Sequence, residues 1–145
     1  MATDTIVVER VDHIGIRVRD LDRALAFYRA LGFELRHRVE FDDVAIIKNA
    51  GDIEINLIFN AKHDEPNILM DVPEKHAGYT HVALRVDSIP RTIAALKAND
   101  IAISQGPVQF GADGGVSVFV RDPDRNVIEL RGTAEGVTGI TPYTP

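Results

Sequence analysis

Apolar positions along this chain fall into one order of periodicities that occurs twice. In Val11–Val18 they alternate, with Val11, His13, Gly15 and Arg17 on one side and Asp12, Ile14, Ile16 and Val18 on the other. That is a strand rich in Val and Ile. Asp20 then offers an N-cap, and Leu21, Ala24, Leu25, Tyr28 and Leu31 follow at helical spacing until Gly32 stops the helix. Phe33–Glu40 reads as a second strand. Val44–Lys48 and Ile53–Phe59 read as a hairpin about Asn49-Ala50-Gly51-Asp52. Beyond a connector the order returns. Tyr79–Val86 is a strand, and Ser88 caps a helix that runs to about Ala98, with Pro90 in its first turn, where a missing N–H costs nothing. Ile101–Ser104 is a strand, and Val116–Val120 with Asn126–Arg131 form a hairpin about Asp122-Pro123-Asp124-Arg125.

Laying Val11–Leu35 over Tyr79–Ile103 shows that this is a repeat. His13 meets His81, Arg17 meets Arg85, Val18 meets Val86, Arg23 meets Arg91, Ala26 meets Ala94 and Ala30 meets Ala98. The apolar phase matches throughout, from Ile14 on Val82 to Leu35 on Ile103. The expected fold is α+β, two βαβββ modules in one domain. Module one covers about 7–60, a connector about 61–78, module two about 79–132 and an irregular tail 133–145. Connectors of that length often cover sites. In the tail, Ile140 and Tyr143 are apolar enough to dock on a surface.

Composition narrows the chemistry. A chain of 145 residues and 16.0 kDa supports one core. The formal net charge of −6 argues against a nucleic-acid partner, whose affinity comes from Lys and Arg on phosphates. Without cysteine, any transition metal must be held by His, Asp, Glu, Asn or Gln. Met1–Arg10 lacks the basic start and long apolar core of a signal peptide, and no apolar run approaches the roughly 18 residues that span a bilayer, so the cytoplasm is the expected compartment with no membrane partner. Aromatic residues make up 6% and Trp is absent, which speaks against a stacking groove.

His13 and His81 are the leading candidates for chemistry. Each lies at the same place in the first strand of its module, on the face turned away from the larger aliphatics. A pseudo-twofold axis would bring them together. Glu129, between Ile128 and Leu130, alternates to the opposite face from both, and a carboxylate on an apolar strand needs a partner. Arg85 or Arg131 is one such partner. Two imidazoles and a carboxylate holding a divalent first-row metal is the other reading. The first-module counterpart of Glu129 is Glu54 by residue type but Asn56 by distance from the hairpin turn, and both share one strand face. Arg17 and Arg85 are repeat-equivalent on the His face, placed to pair with Glu129 and Glu54 or to grip an anionic substrate. His37, His63 and His76 have no repeat partner and read as surface residues, with His63 and His76 in the connector. Gly111–Gly115 does not run from a strand into a helix, so it is a lid or a hairpin approach and not a dinucleotide loop.

These residues resemble the vicinal oxygen chelate superfamily, which includes glyoxalase I. The resemblance covers about Val11 to Gly132 and rests on Val11–Val18 with Asp20-Leu21, Ala26-Phe27-Tyr28 and Leu31-Gly32-Phe33. It continues in Tyr79–Leu84 and ends in Asp122–Leu130. It implies paired βαβββ modules forming a metal-binding cleft, usually in a homodimer, with His13, His81 and Glu129 as ligands of Ni, Zn, Co, Mn or Fe. In glyoxalase I a further carboxylate ligand stands where this chain has Asn56. Superfamily epimerases use a carboxamide there. The activity implied first is a glyoxalase I-type lyase or isomerase, related to lactoylglutathione lyase, in which the metal stabilises an enediolate. There Glu129 or Glu54 shuttles the proton, and glutathione or another thiol is co-substrate. The alternatives on the same site are an extradiol-type dioxygenase and a fosfomycin-type thiol transferase. A metal-free bleomycin-resistance-like binding protein is the third, and retention of His13, His81 and Glu129 argues against it.

Overall fold

A computed structural model describes residues 4–62, 64–111 and 113–143. His63 lies outside them. The first run is β1 (Ile14–Arg17), α1 (Leu21–Ala30), β2 (Glu34–Val39), a short 3-10 turn (Glu40–Asp42), β3 (Val44–Lys48) and β4 (Glu54–Ile58). The second is β5 (His81–Arg85), α2 (Ile89–Ala98), β6 (Ile103–Gln109), β7 (Val116–Arg121), β8 (Val127–Gly132) and β9 (Thr141–Pro142). The sheets have strand orders β1-β4-β3-β2 and β5-β8-β7-β6-β9. This is the α+β architecture of two βαβββ runs. No helix among the described residues is long and apolar enough to cross a membrane.

Both helices begin where expected. The Asp20 carboxylate accepts the backbone N–H of Arg23 at 2.8 Å, and the Ser88 hydroxyl accepts that of Arg91 at 3.2 Å. Caps of this kind contribute about 1 kcal/mol each. Helix α1 closes at Leu31, and Gly32 takes the left-handed conformation, with φ +92, that lets the chain turn back. The first strands are shorter than Val11–Val18 and Tyr79–Val86 predict, because β1 pairs with β4, and β5 with β8, only over Ile14–Arg17 and His81–Arg85. Strand β6 is longer than Ile101–Ser104 and reaches Gln109. The tail is less irregular than its composition suggests. Thr141 and Pro142 add a short parallel strand beside Val108 and Gln109, with Tyr143 beyond them.

The inner faces of both sheets and helix α1 share one core, in which Tyr28, Phe33, Ile47, Ile55, Leu57 and Ile128 are fully buried. A polar clasp ties the first run to the second. The Tyr28 hydroxyl donates to Asp122 Oδ2 at 2.7 Å. Asp122 also accepts the backbone N–H of Asp124 and Asn126 and the Asn126 side-chain amide. Burial pushes the Asp122 carboxyl above its ordinary pKa and the Tyr28 phenol well above its own. Arg19 donates from Nε to Asp124 Oδ1 at 2.7 Å and from Nη2 to the Pro123 carbonyl.

The connector is clasped too. Arg125, held at φ 64 in the β7–β8 turn, donates from Nε and Nη2 to the two oxygens of Asp71, and Arg121 joins it at 3.1 Å. The guanidinium of Arg125 foremost, then that of Arg121, holds the Asp71 carboxyl far below the usual range. Asn67 adds a backbone bond to Asp124 and a side-chain bond to Asn126. The connector therefore crosses the β7–β8 turn as a strap.

Two outcomes follow. Tyr28→Phe leaves the buried Asp122 carboxylate short of one donor and should lower unfolding free energy by about 1.5–3 kcal/mol, read by urea denaturation. An unchanged midpoint would mean that the clasp holds nothing. Asp71 has a folded pKa below its unfolded value, so its contribution is full above about pH 4 and is lost as pH falls through the folded value. Wild type should be more stable than Asp71→Asn at neutral pH, and the two should converge only in strong acid.

Candidate metal-binding cleft

The parallel ladders decide what faces the cavity. Gly15 pairs with Asn56, and Ala83 pairs with Glu129. Gly15 and Ala83 each lie two residues after the repeat histidine, so Asn56 occupies the place in the first run that Glu129 occupies in the second. The hairpin-distance reading is the structural one. Glu54 corresponds to Val127, one step nearer the turn on the same face.

The first run brings His13 and Glu54 together. His13 Nδ1 lies 2.7 Å from Asp12 Oδ1 and 4.0 Å from Glu54 Oε2, while Lys48 Nζ lies 3.7 Å from Glu54 Oε1. Each of Asp12, His13 and Glu54 offers a ligand atom, all within 4.8 Å of one another. His13 holds the Asp12 carboxyl below its ordinary pKa. Asn56 Oδ1 is buried without a hydrogen-bond partner. An orphaned amide oxygen costs free energy unless something outside the protein completes it. Gly15 leaves the cross-strand place beside it without a side chain.

The second run brings His81 and Glu129 together. His81 Nε2 lies 3.1 Å from Glu129 Oε1, and the Ser117 hydroxyl, itself fully buried, donates to Glu129 Oε2 at 2.8 Å. Thr80 Oγ1 lies 2.8 Å from His81 Nδ1. Thr80 and Asp12 are repeat-equivalent, so in each half the preceding residue meets Nδ1, and in the second half this leaves Nε2 to face Glu129. Arg131 does not pair with Glu129. Its Nη2 grips both oxygens of Asp113, at 2.7 and 2.9 Å, and its Nη1 reaches Ser117 Oγ at 3.3 Å. The Gly115 N–H first, and Arg131 second, depress the Asp113 carboxyl. A Cβ at Gly115 would overlap the Arg131 guanidinium, so any side chain there would push Arg131 away from Asp113. Between β6 and β7, Asp113 is thus tied both to Arg131 and to the Gly115 N–H.

Two spaces adjoin these groups. His13 and His81 both line a cleft of about 690 Å³ between β1 and β5, with Arg17 and Tyr79. His81 and Glu129 line a second cavity of about 900 Å³. Among the described residues, His13, His81 and Glu129 do not close into one three-ligand cluster. Neither repeat-equivalent arginine pairs with Glu54 or Glu129. Arg17 donates to Asn60 Oδ1 at 3.0 Å, and exposed Arg85 borders a separate cavity of about 150 Å³. Glu54 and Glu129 already have nearer partners on their own sheets. His37 and His76 are exposed. The Tyr28, Asp122 and Asp124 clasp and the Ser117–Arg131–Asp113 chain had no distinct signal in a single sequence. Ser117 reads as one polar residue in an apolar strand.

The chain matches the family model for the Glyoxalase/Bleomycin resistance protein/Dioxygenase superfamily over residues 10–130. It is 34% identical over 126 residues to the glyoxalase domain-containing protein RDO1 of Mycosarcoma maydis, covering 85% of this chain and 68% of that one. It is 31% identical over 130 residues to lactoylglutathione lyase of Haemophilus influenzae, covering 81% and 88%. A crystal structure of a glyoxalase/dioxygenase from Nostoc punctiforme superposes with a TM-score of 0.72 over 92% of this chain and 100% of that one, at 22% identity, a likeness of fold. The chain belongs to the Glyoxalase/Bleomycin resistance protein/Dioxygenase superfamily.

Proposed function

We propose that the protein is a metal-dependent enzyme of the glyoxalase I type, a lyase or isomerase that moves a proton between adjacent carbons of a small substrate bearing two neighbouring oxygens. One observation carries the reading. Repeat-equivalent histidines stand beside equivalent strand positions that hold Glu129 in one half and, in the other, an Asn56 oxygen buried without a partner. Imidazole, carboxylate and amide oxygen suit a divalent first-row ion, and His13, His81, Glu129 and Asn56 would hold it. Such an ion supplies positive charge to an oxyanion that develops on the substrate. Glu54, on the same face as Asn56 and flanked by Lys48 and His13, is placed to take a proton from one carbon and return it to the next. Glu129 shares that role from the other side. Arg17, at the cleft wall, orients the substrate. Ser117 keeps Glu129 turned toward His81. The likeness to a lactoylglutathione lyase supports a hemithioacetal, formed with glutathione or another thiol, as the first substrate to try.

The working form in this reading is a homodimer whose sites draw one half from each copy. Support comes from the free edges of β1 and β5 and from the residues just before them. Val11 is 77% exposed and Tyr79 99% exposed, apolar surface that a second copy would cover.

Tag-free protein purified without chelator should carry about one Ni, Co, Zn or Mn per chain and isomerise hemithioacetals, lose that activity to chelator and regain it with metal. No uptake on titration would sink the reading, and iron at that level would favour a dioxygenase. Ser117→Ala should lower zinc affinity about 10–100-fold, while Ser117→Thr retains it. Mixing His13→Ala with Glu129→Ala subunits should restore about a quarter of wild-type activity, since half of the mixed dimers are hybrid and each hybrid has one intact site. No recovery would put the whole site within one chain.

A further inference from the structure

The cavity beside Glu129 has a wall that the proton-transfer chemistry does not require. Phe119, on β7, packs edge-on to His81 with ring centroids 6.0 Å apart. Phe110 continues the wall at 6.0 Å from Phe119, and Tyr143 covers Phe110 at 4.7 Å. Aromatic residues are few in this chain, yet three of them run in series from the histidine to the C-terminal tail. The tail is held there by β9, and the Tyr143 N–H donates to the Gln109 carbonyl. Met70, from the strap, completes the apolar lining.

The same cavity is lined by two guanidiniums, and neither is free to receive an anion. Arg121 is closed on Asp71, and Arg131 is closed on Asp113. A charged substrate body would have to break one of these pairs or be buried without a partner. A flat unsaturated body would instead meet ring faces and edges and a polarizable thioether, all of which favour it without charge.

We propose that this cavity is a seat for a flat, uncharged, aromatic substrate body, with Phe110 and the tail residue Tyr143 as its specificity-determining wall. The proposal rests on the functional reading above only for the reacting end, which would lie toward His81 and Glu129. The tail is then part of the binding site.

The test compares benzohydroxamate, which joins a ring to a pair of neighbouring oxygens, with acetohydroxamate, which has the oxygens alone. On zinc-loaded protein the ring should strengthen binding about tenfold by calorimetry. Phe110→Ala and Tyr143→Ala, both outside the proposed ligand set, should each cut that preference to about twofold or less and leave acetohydroxamate unaffected. Phe110→Leu should retain part of it. A carboxylate on the ring, in 4-carboxybenzohydroxamate, should weaken binding. Ring protons of benzohydroxamate should show NOEs to Phe110 and Tyr143 with or without zinc. Equal affinity of the two simple hydroxamates, tighter binding of the carboxylated probe, or absence of those NOEs would each overturn the seat. If zinc adds nothing to either hydroxamate while the NOEs persist, the metal reading falls and the seat stands.

Discussion

The parallel hydrogen-bond ladders of β1 on β4 and β5 on β8 determine which side chains stand side by side, and the core locks them. Ile55 and Leu57 on β4, and Ile128 and Leu130 on β8, are buried on the inner face. A slip of one residue would carry all four into the cavity and bury Asn56 and Glu129 in the core. The aliphatic face thus sets the register, and the register sets the chemistry. Glu129 stands across from Ala83, close enough for His81 to reach it, because Ile128 and Leu130 have nowhere else to go.

That constraint orders each half by itself. One half is held against the other by the shared core and by the Tyr28–Asp122 and Arg19–Asp124 contacts. The first is buried and the second part-buried, and polar contacts so placed are costly to form and costlier to break singly. Asp122 accepts four donors, so its carboxylate is matched nearly to capacity. Such a site tolerates few alternative geometries, which suits a joint between two sheets that must present their faces in a fixed relation.

Much of this was legible beforehand, for reasons that can be named. The superposition of His13 on His81 and the apolar phase around them specify two equivalent first strands. The distance from each hairpin turn pairs Asn56 with Glu129, since a tight turn fixes register. Residue type misleads there, because Glu54 looks like Glu129 and lies one alternation nearer the turn. Long side chains were harder. Arg17, Arg85 and Arg131 could each reach several carboxylates, and reach is decided by folded distances. Arg131 finds Asp113 across the hairpin, and Arg17 finds Asn60. Tyr28 shows only its apolar character in a helical pattern, so its hydroxyl goes unread. The aromatic share of the whole chain says nothing about whether Phe110, Phe119 and Tyr143 converge.

Arg125 illustrates a compromise in the β7–β8 turn. Its left-handed backbone would sit more comfortably as glycine, by about 1 kcal/mol. Yet its guanidinium is the principal grip on Asp71, and Asp71 anchors the strap that carries Met70 to the cavity wall. A chain optimised only for turn stability would let that strap go. Local conformational discomfort at one residue is therefore exchanged for control over how tightly the cavity is covered. Glycine at this position would relax the turn and release the strap in the same step.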